Sequence, residues 1–87
     1  MKITEYADVL NRNIVITYYN NQDNRFSAHF ESCDIEGEGV LIGAYGNGKT
    51  PDEALNDYVQ KIKGQTIVFN GNSDKELRIK VPKYLEN

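Results

Sequence analysis

From Gly43 to Glu53 the chain sets three glycines, Gly43, Gly46 and Gly48, directly against a complete helix-start signal. This junction constrains the fold more than any other stretch. Thr50 is an N-cap residue, Pro51 stands at the first helical position, and Glu53 sits three residues past the cap to close a capping box. Downstream, Ala54, Leu55, Tyr58, Val59 and Ile62 form one apolar stripe, Lys61 and Lys63 suit the last turn, and Gly64 ends it. A helix from Pro51 therefore lies on a sheet, and the glycines shape the passage from strand to helix.

Gly43 to Thr50 also satisfies G-x-x-x-x-G-K-[ST], the phosphate-cradling P-loop, with Val40, Leu41 and Ile42 as the strand before it. Four fixed positions recur by chance in roughly one of every few hundred chains of this size, so context decides. A P-loop nucleotide binder needs a parallel sheet with helical crossovers and an apolar strand ending in an acidic magnesium ligand. Here the earlier strands are joined by hairpin-length connections, and no apolar strand ends in Asp or Glu. A sharp strand-to-helix turn is the favoured reading, and nucleotide binding ranks third among the functions considered.

The rest of the chain supplies strands. Ile3, Tyr6, Ala7 and Leu10 fall at helical spacing and predict a short first helix. Asn13 to Tyr19 is rich in β-branched and aromatic residues, and Arg25 to Ser32 alternates Phe26, Ala28 and Phe30 inward with polar residues outward. The polar run Asn20 to Asn24 joins them as a turn. Cys33 to Gly39 reads as an acidic connection and Val40 to Tyr45 as a third strand; Gln65 to Asn70 and Leu77 to Val81 give two more, after the helix. The expected architecture is one α+β domain over residues 1–87. Its order is a short helix, three strands, a main helix and two strands, with an antiparallel sheet of four to five strands carrying the main helix on one face.

The bulk numbers narrow function. With 87 residues the domain buries a modest core, and a formal net charge of −3 disfavours nucleic-acid binding through bulk charge. Cys33 is the single cysteine, which fits a reducing compartment, and the first residues lack the basic and apolar regions of an export signal. No stretch has the roughly 18 consecutive apolar residues of a membrane span, so a cytoplasmic protein is expected.

Few groups suggest chemistry. Asp34, Glu36 and Glu38 open like a calcium loop, but the twelfth position, which should be glutamate, is Tyr45. A solvated acidic surface that attracts a basic partner is the functional alternative. His29 and Cys33 would stand about 13 Å apart along a straight strand, beyond the reach of a nucleophile and its base. Neither catalytic residues nor a cofactor or metal site is expected. Tyr18, Tyr19, Tyr45 and Tyr58 suit packing or an interface, so a homodimer is compatible with the sequence. Lys75, Arg78, Lys80 and Lys83, on or beside the last strand, form a basic stripe interrupted by Glu76 that would suit phosphates.

The strand, loop and helix around Gly43 resemble those of the HicB-like antitoxins, approximately G-C-x-T-x-G-D-T-x-E-E-A-L. Gly43 and Gly48 match its glycines, Thr50 its cap, and Asp52, Glu53, Ala54 and Leu55 its helix start. The resemblance covers roughly residues 13 to 70; Ala44 and Lys49 stand where cysteine and aspartate are common, and the usual proline-containing loop is replaced by Cys33 to Gly39. It implies a reduced β-β-β-α-β unit that binds and masks a small toxin ribonuclease. Gly71 to Asn87 is too short for the DNA-binding segment such proteins append, which makes a phage or mobile-element accessory protein the nearer comparison. The double-stranded RNA-binding domain shares a similar element order, but Asp52 and Glu53 stand where its helix presents lysines to phosphate. The expected function is a non-enzymatic protein-binding module using Asp34, Glu36 and Glu38. The alternative is nucleic-acid binding through the basic C-terminal hairpin.

Overall fold

The computed structural model describes residues 1–21 and 23–87. In chain order it comprises α1 (Ile3–Leu10), β1 (Ile14–Tyr19), β2 (Arg25–Phe30), β3 (Cys33–Gly37), β4 (Val40–Gly43), β5 (Gly46–Gly48), α2 (Pro51–Ile62), β6 (Thr66–Phe69) and β7 (Leu77–Lys80). All strand pairs are antiparallel, in sheets of order β1-β2-β5 and β4-β3-β6-β7. The α+β class, the short first helix and the two strands after α2 are those the sequence implies, but five strands rather than three precede α2, and the single sheet of four to five strands becomes two. The expected turn from Asn20 to Asn24 includes Gln22, which lies outside the described residues.

The two sheets share one long, bent hairpin. Only Glu31 and Ser32 separate β2 from β3, and only Ala44 and Tyr45 separate β4 from β5. Ala28 pairs with Gly46 and Asp34 with Gly43, so residues 29–33 oppose only residues 44–45. The surplus is absorbed as a bulge, with Ser32 in the left-handed region at φ 54. This bend divides the strands further than the sequence reading does. Cys33 to Gly37 is a strand because Ile35 is sandwiched between Ile42 and Ile67, while Asp34 and Glu36 point to the opposite face. The acidic connection shrinks to a turn at Glu38 and Gly39, both with positive φ.

Helix α2 starts as its sequence directs: the Thr50 hydroxyl accepts the Glu53 amide at 3.1 Å. Its stripe of Ala54, Leu55, Tyr58, Val59 and Ile62 is buried, and the helix packs on β2 and β5. Contact with β5 is so close that a Cβ on Gly46 would collide with the Ala54 carbonyl and the Tyr58 amide. A Cβ on Gly48 would lie 2.6 Å from the Ala54 amide nitrogen. These glycines therefore let a helix backbone lie on a strand backbone.

Phe30 is the centre of the core, with ring centroids 6.4 Å from Tyr6, 5.9 Å from Tyr58 and 5.6 Å from Phe69. Burying each such ring contributes about 2–3 kcal/mol. Inside this core the Tyr58 hydroxyl accepts the Phe30 amide at 3.1 Å, and burial pushes the phenol well above its ordinary value. The chain ends close the structure: Ile3 N–H donates to the Glu86 carbonyl at 2.7 Å, and Leu85 is buried.

Candidate functional site

Three places bring together the residues that sequence reasoning marks out. On the four-stranded sheet, Asp34 stands opposite Val68, which stands opposite Arg78; Glu36, Thr66 and Lys80 make the adjacent row. Residues directly opposite share a face, so the acidic set and half of the basic set occupy one surface. Arg78 pairs there with Glu36 and also reaches Glu76 at 3.2 Å. Beneath this lid Val68 is fully buried, and Leu41 closes over it beside Gly71. Lys75 lies in the turn before β7, and the Lys83 side chain lies against Gly64. The four cations thus form no continuous stripe, and Arg78 is engaged by carboxylates.

The second place is the tip of the β3–β4 hairpin. Glu38 is exposed at φ 52, and β4 follows as an outer strand without a charged residue. Val40 and Ile42 are 58% and 56% exposed there, overhanging the core side of the sheet. Sequence reasoning misses them as surface residues, because a short apolar run reads as a buried strand whichever part of it the core covers.

The third is a cleft of about 360 Å³ at the bend, lined in part by His29, Cys33, Asp34, Tyr45 and Asn70. The straight-strand separation expected for His29 and Cys33 does not apply, since Ser32 breaks the extended path between them. Bringing them to one cleft does not activate either group. Burial pushes the Cys33 thiol up to about 11, leaving it protonated near neutrality. The His29 Nδ1 lies 2.9 Å from the Phe30 carbonyl oxygen, and Tyr45 packs against the ring with centroids 4.9 Å apart. Among the described residues, no three or more His, Cys, Asp or Glu side chains are placed to hold a metal ion.

The glycine stretch is strand, not cradle. Gly46 to Gly48 pair with β2, and the outward Asn47 amide donates to the Asp57 carboxylate at 2.8 Å. Lys61 Nζ donates to the Tyr45 carbonyl at 2.7 Å and pairs with Asp57 at 3.2 Å. A phosphate nest needs successive amides converging on one point, which a paired strand does not provide. Lys49 is exposed beyond the strand end.

No family model, curated protein or solved structure matches the chain. Among the described residues, no helix is long and apolar enough to cross a membrane.

Proposed function

We propose that this domain is a non-enzymatic protein-binding module whose contact element is the β3–β4 hairpin. The observation that carries the reading is the exposure of Val40 and Ile42 on an uncharged outer strand, beside the exposed carboxylate of Glu38. Exposed aliphatic side chains with an acidic rim suit a partner that offers an apolar pocket edged with basic groups. Of the acidic residues marked out by the sequence, Glu38 is the free rim charge; Glu36 is paired with Arg78, and Asp34 lies in the cleft. The resemblance to HicB-like antitoxins supports an accessory or antitoxin-type role in the cytoplasm, with a small basic nuclease as the model partner. The nucleic-acid alternative is weakened by the engagement of Arg78.

Affinity capture from cell extract tests the proposal. Wild type should retain a partner that an Ile42→Asp variant loses, while both melt at similar temperatures. Equal recovery by the two proteins, or none by wild type, overturns the assignment to this hairpin.

A further inference from the structure

Strand β1 is the outer strand of the three-stranded sheet, and its pairing with β2 fixes what its open side presents. The Glu31 amide donates to the Asn13 carbonyl at 2.9 Å, so Asn13 and Glu31 are a hydrogen-bonded pair. In an antiparallel ladder such pairs alternate, which turns Val15, Thr17 and Tyr19 backbone groups toward β2. The N–H and C=O of Ile14, Ile16 and Tyr18 consequently point outward. The side chains of those three residues share the face on which α2 lies. Because α2 packs on β2 and β5, Ile16 and Tyr18 beside it remain 43% and 53% exposed. The Tyr18 ring continues this apolar shoulder onto Phe26, 4.8 Å away.

Charge is absent along the whole edge. No residue from Asn13 to Gln22 is charged, in a chain where 26% of residues are. Outer strands are ordinarily blunted by charge, proline or a bulge, and β1 has none of these. Two of the other edges are protected, β5 by Asp57 and Lys61 and β7 by its own Arg78 and Lys80; the remaining one, β4, is the uncharged strand that follows the exposed Glu38.

We propose that β1 is the docking edge for a second copy of this chain, pairing antiparallel with its counterpart about a two-fold axis at Ile16. In that register Ile16 faces Ile16, and Ile14 faces Tyr18 in both directions. Every residue of these pairs already directs its backbone groups outward, so the pairs exchange about six backbone hydrogen bonds. A shift of one residue would oppose free groups to groups already used by β2. The axis also keeps both helices on the same side, where Ile16 and Tyr18 of the two copies meet between them.

The choice of a second copy rests on charge. Each chain carries a net −3, so two copies attract only through a surface from which charge has been removed. A strand serving a basic partner would gain from acid on or beside it, as β4 has in Glu38, whereas β1 carries none and is flanked by Asn13 and Asn20. This proposal is independent of the hairpin assignment, which concerns a different strand in the other sheet.

Sedimentation equilibrium on the intact chain tests it. Wild type at tens of micromolar should give twice the 9.9 kDa chain mass, and Ile16→Lys or Tyr18→Lys should return it to a single chain with an unchanged circular dichroism spectrum. Ile42→Asp should leave the dimer intact. Amide exchange at Ile14, Ile16 and Tyr18 should slow as wild-type concentration rises. A wild type of 9.9 kDa across the range overturns the proposal. So does a dimer that survives both lysine variants, or one that Ile42→Asp dissociates. Retention of a captured partner by Ile16→Lys would separate failure here from failure of the hairpin reading.

Discussion

At one edge of the three-stranded sheet β5 offers three residues, two of them glycine, pressed against a helix backbone and capped by the Asp57 and Lys61 side chains. At the other edge β1 offers six residues, none charged, and pairs with a strand on one side only. Both are outer strands of the same sheet, yet helix α2 serves only one of them. The difference shows how this chain divides its resources. A helix wide enough to cover two strands seals β5 with charged side chains on its flank. The strand beyond its reach, β1, keeps apolar side chains and free backbone groups, which a partner strand can use.

The sealed edge is broken most severely at Gly46. A Cβ there meets the Ala54 carbonyl and Tyr58 amide, both backbone atoms of a buried helix that cannot swing aside. Gly46→Val should therefore force α2 off the sheet and destabilise the domain by about 3 kcal/mol or more. In a small domain with about 5–15 kcal/mol in total, that is a large share. Urea unfolding followed by tyrosine fluorescence checks this; a midpoint within experimental error of wild type would show that the close approach does not hold the edge.

Asp57 tests the same edge more gently. Partial burial alone would raise its pKa, but the Asn47 amide and Lys61 outweigh that and hold it below the ordinary 3.8. A carboxylate with a depressed folded pKa adds stability above its unfolded pKa and loses it as pH falls through the folded value. Asp57→Ala should cost about 1–2 kcal/mol near neutral pH, reduced from a buried charged bond because the side chain is partly solvated. The deficit should stay constant down to about pH 5 and shrink below about pH 4. Stability curves of both proteins across that range provide the check; a deficit that persists unchanged at pH 2 would mean that the carboxylate charge is not what seals β5.

What the sequence reveals of these edges depends on the distance over which each feature is decided. The start of α2 is legible at Thr50, Pro51 and Glu53, since capping is settled within one turn. The role of Gly46 and Gly48 is not: the same residues fit a phosphate loop, a turn or a close strand, and only the arrival of Ala54 and Tyr58 chooses among them. Likewise the lack of charge from Asn13 to Gln22 is plain in the sequence, but that β1 is an outer strand is a matter of topology. The acidic and basic sets look like rival sites because β6, which places Arg78 beside Glu36, lies between them in register and far from Glu36 in the chain. Alternation of Cys33 and Ile35 with Asp34 and Glu36 does signal a strand, though acidic and glycine-rich composition masks it. His29 and Cys33 expose the limit of extended-chain arithmetic, which fails wherever one residue, here Ser32, turns left-handed.

The smallest effect is expected at the open edge and is the most informative about its purpose. In the single chain, Ile16 is 43% exposed and its backbone groups are free, so Ile16→Lys removes limited burial and leaves the β1–β2 ladder intact. The long lysine stem can lie along the shoulder that Ile16 covers while its ammonium stays in water. Unfolding measured at high dilution, where association does not contribute, should change by about 1 kcal/mol or less. At high concentration the wild type should gain stability with concentration and the variant should not, because only a species that associates in the folded state is stabilised by mass action. A loss at high dilution comparable to that of Gly46→Val would mean that β1 is part of the sealed core, and the contrast between the two edges would fail.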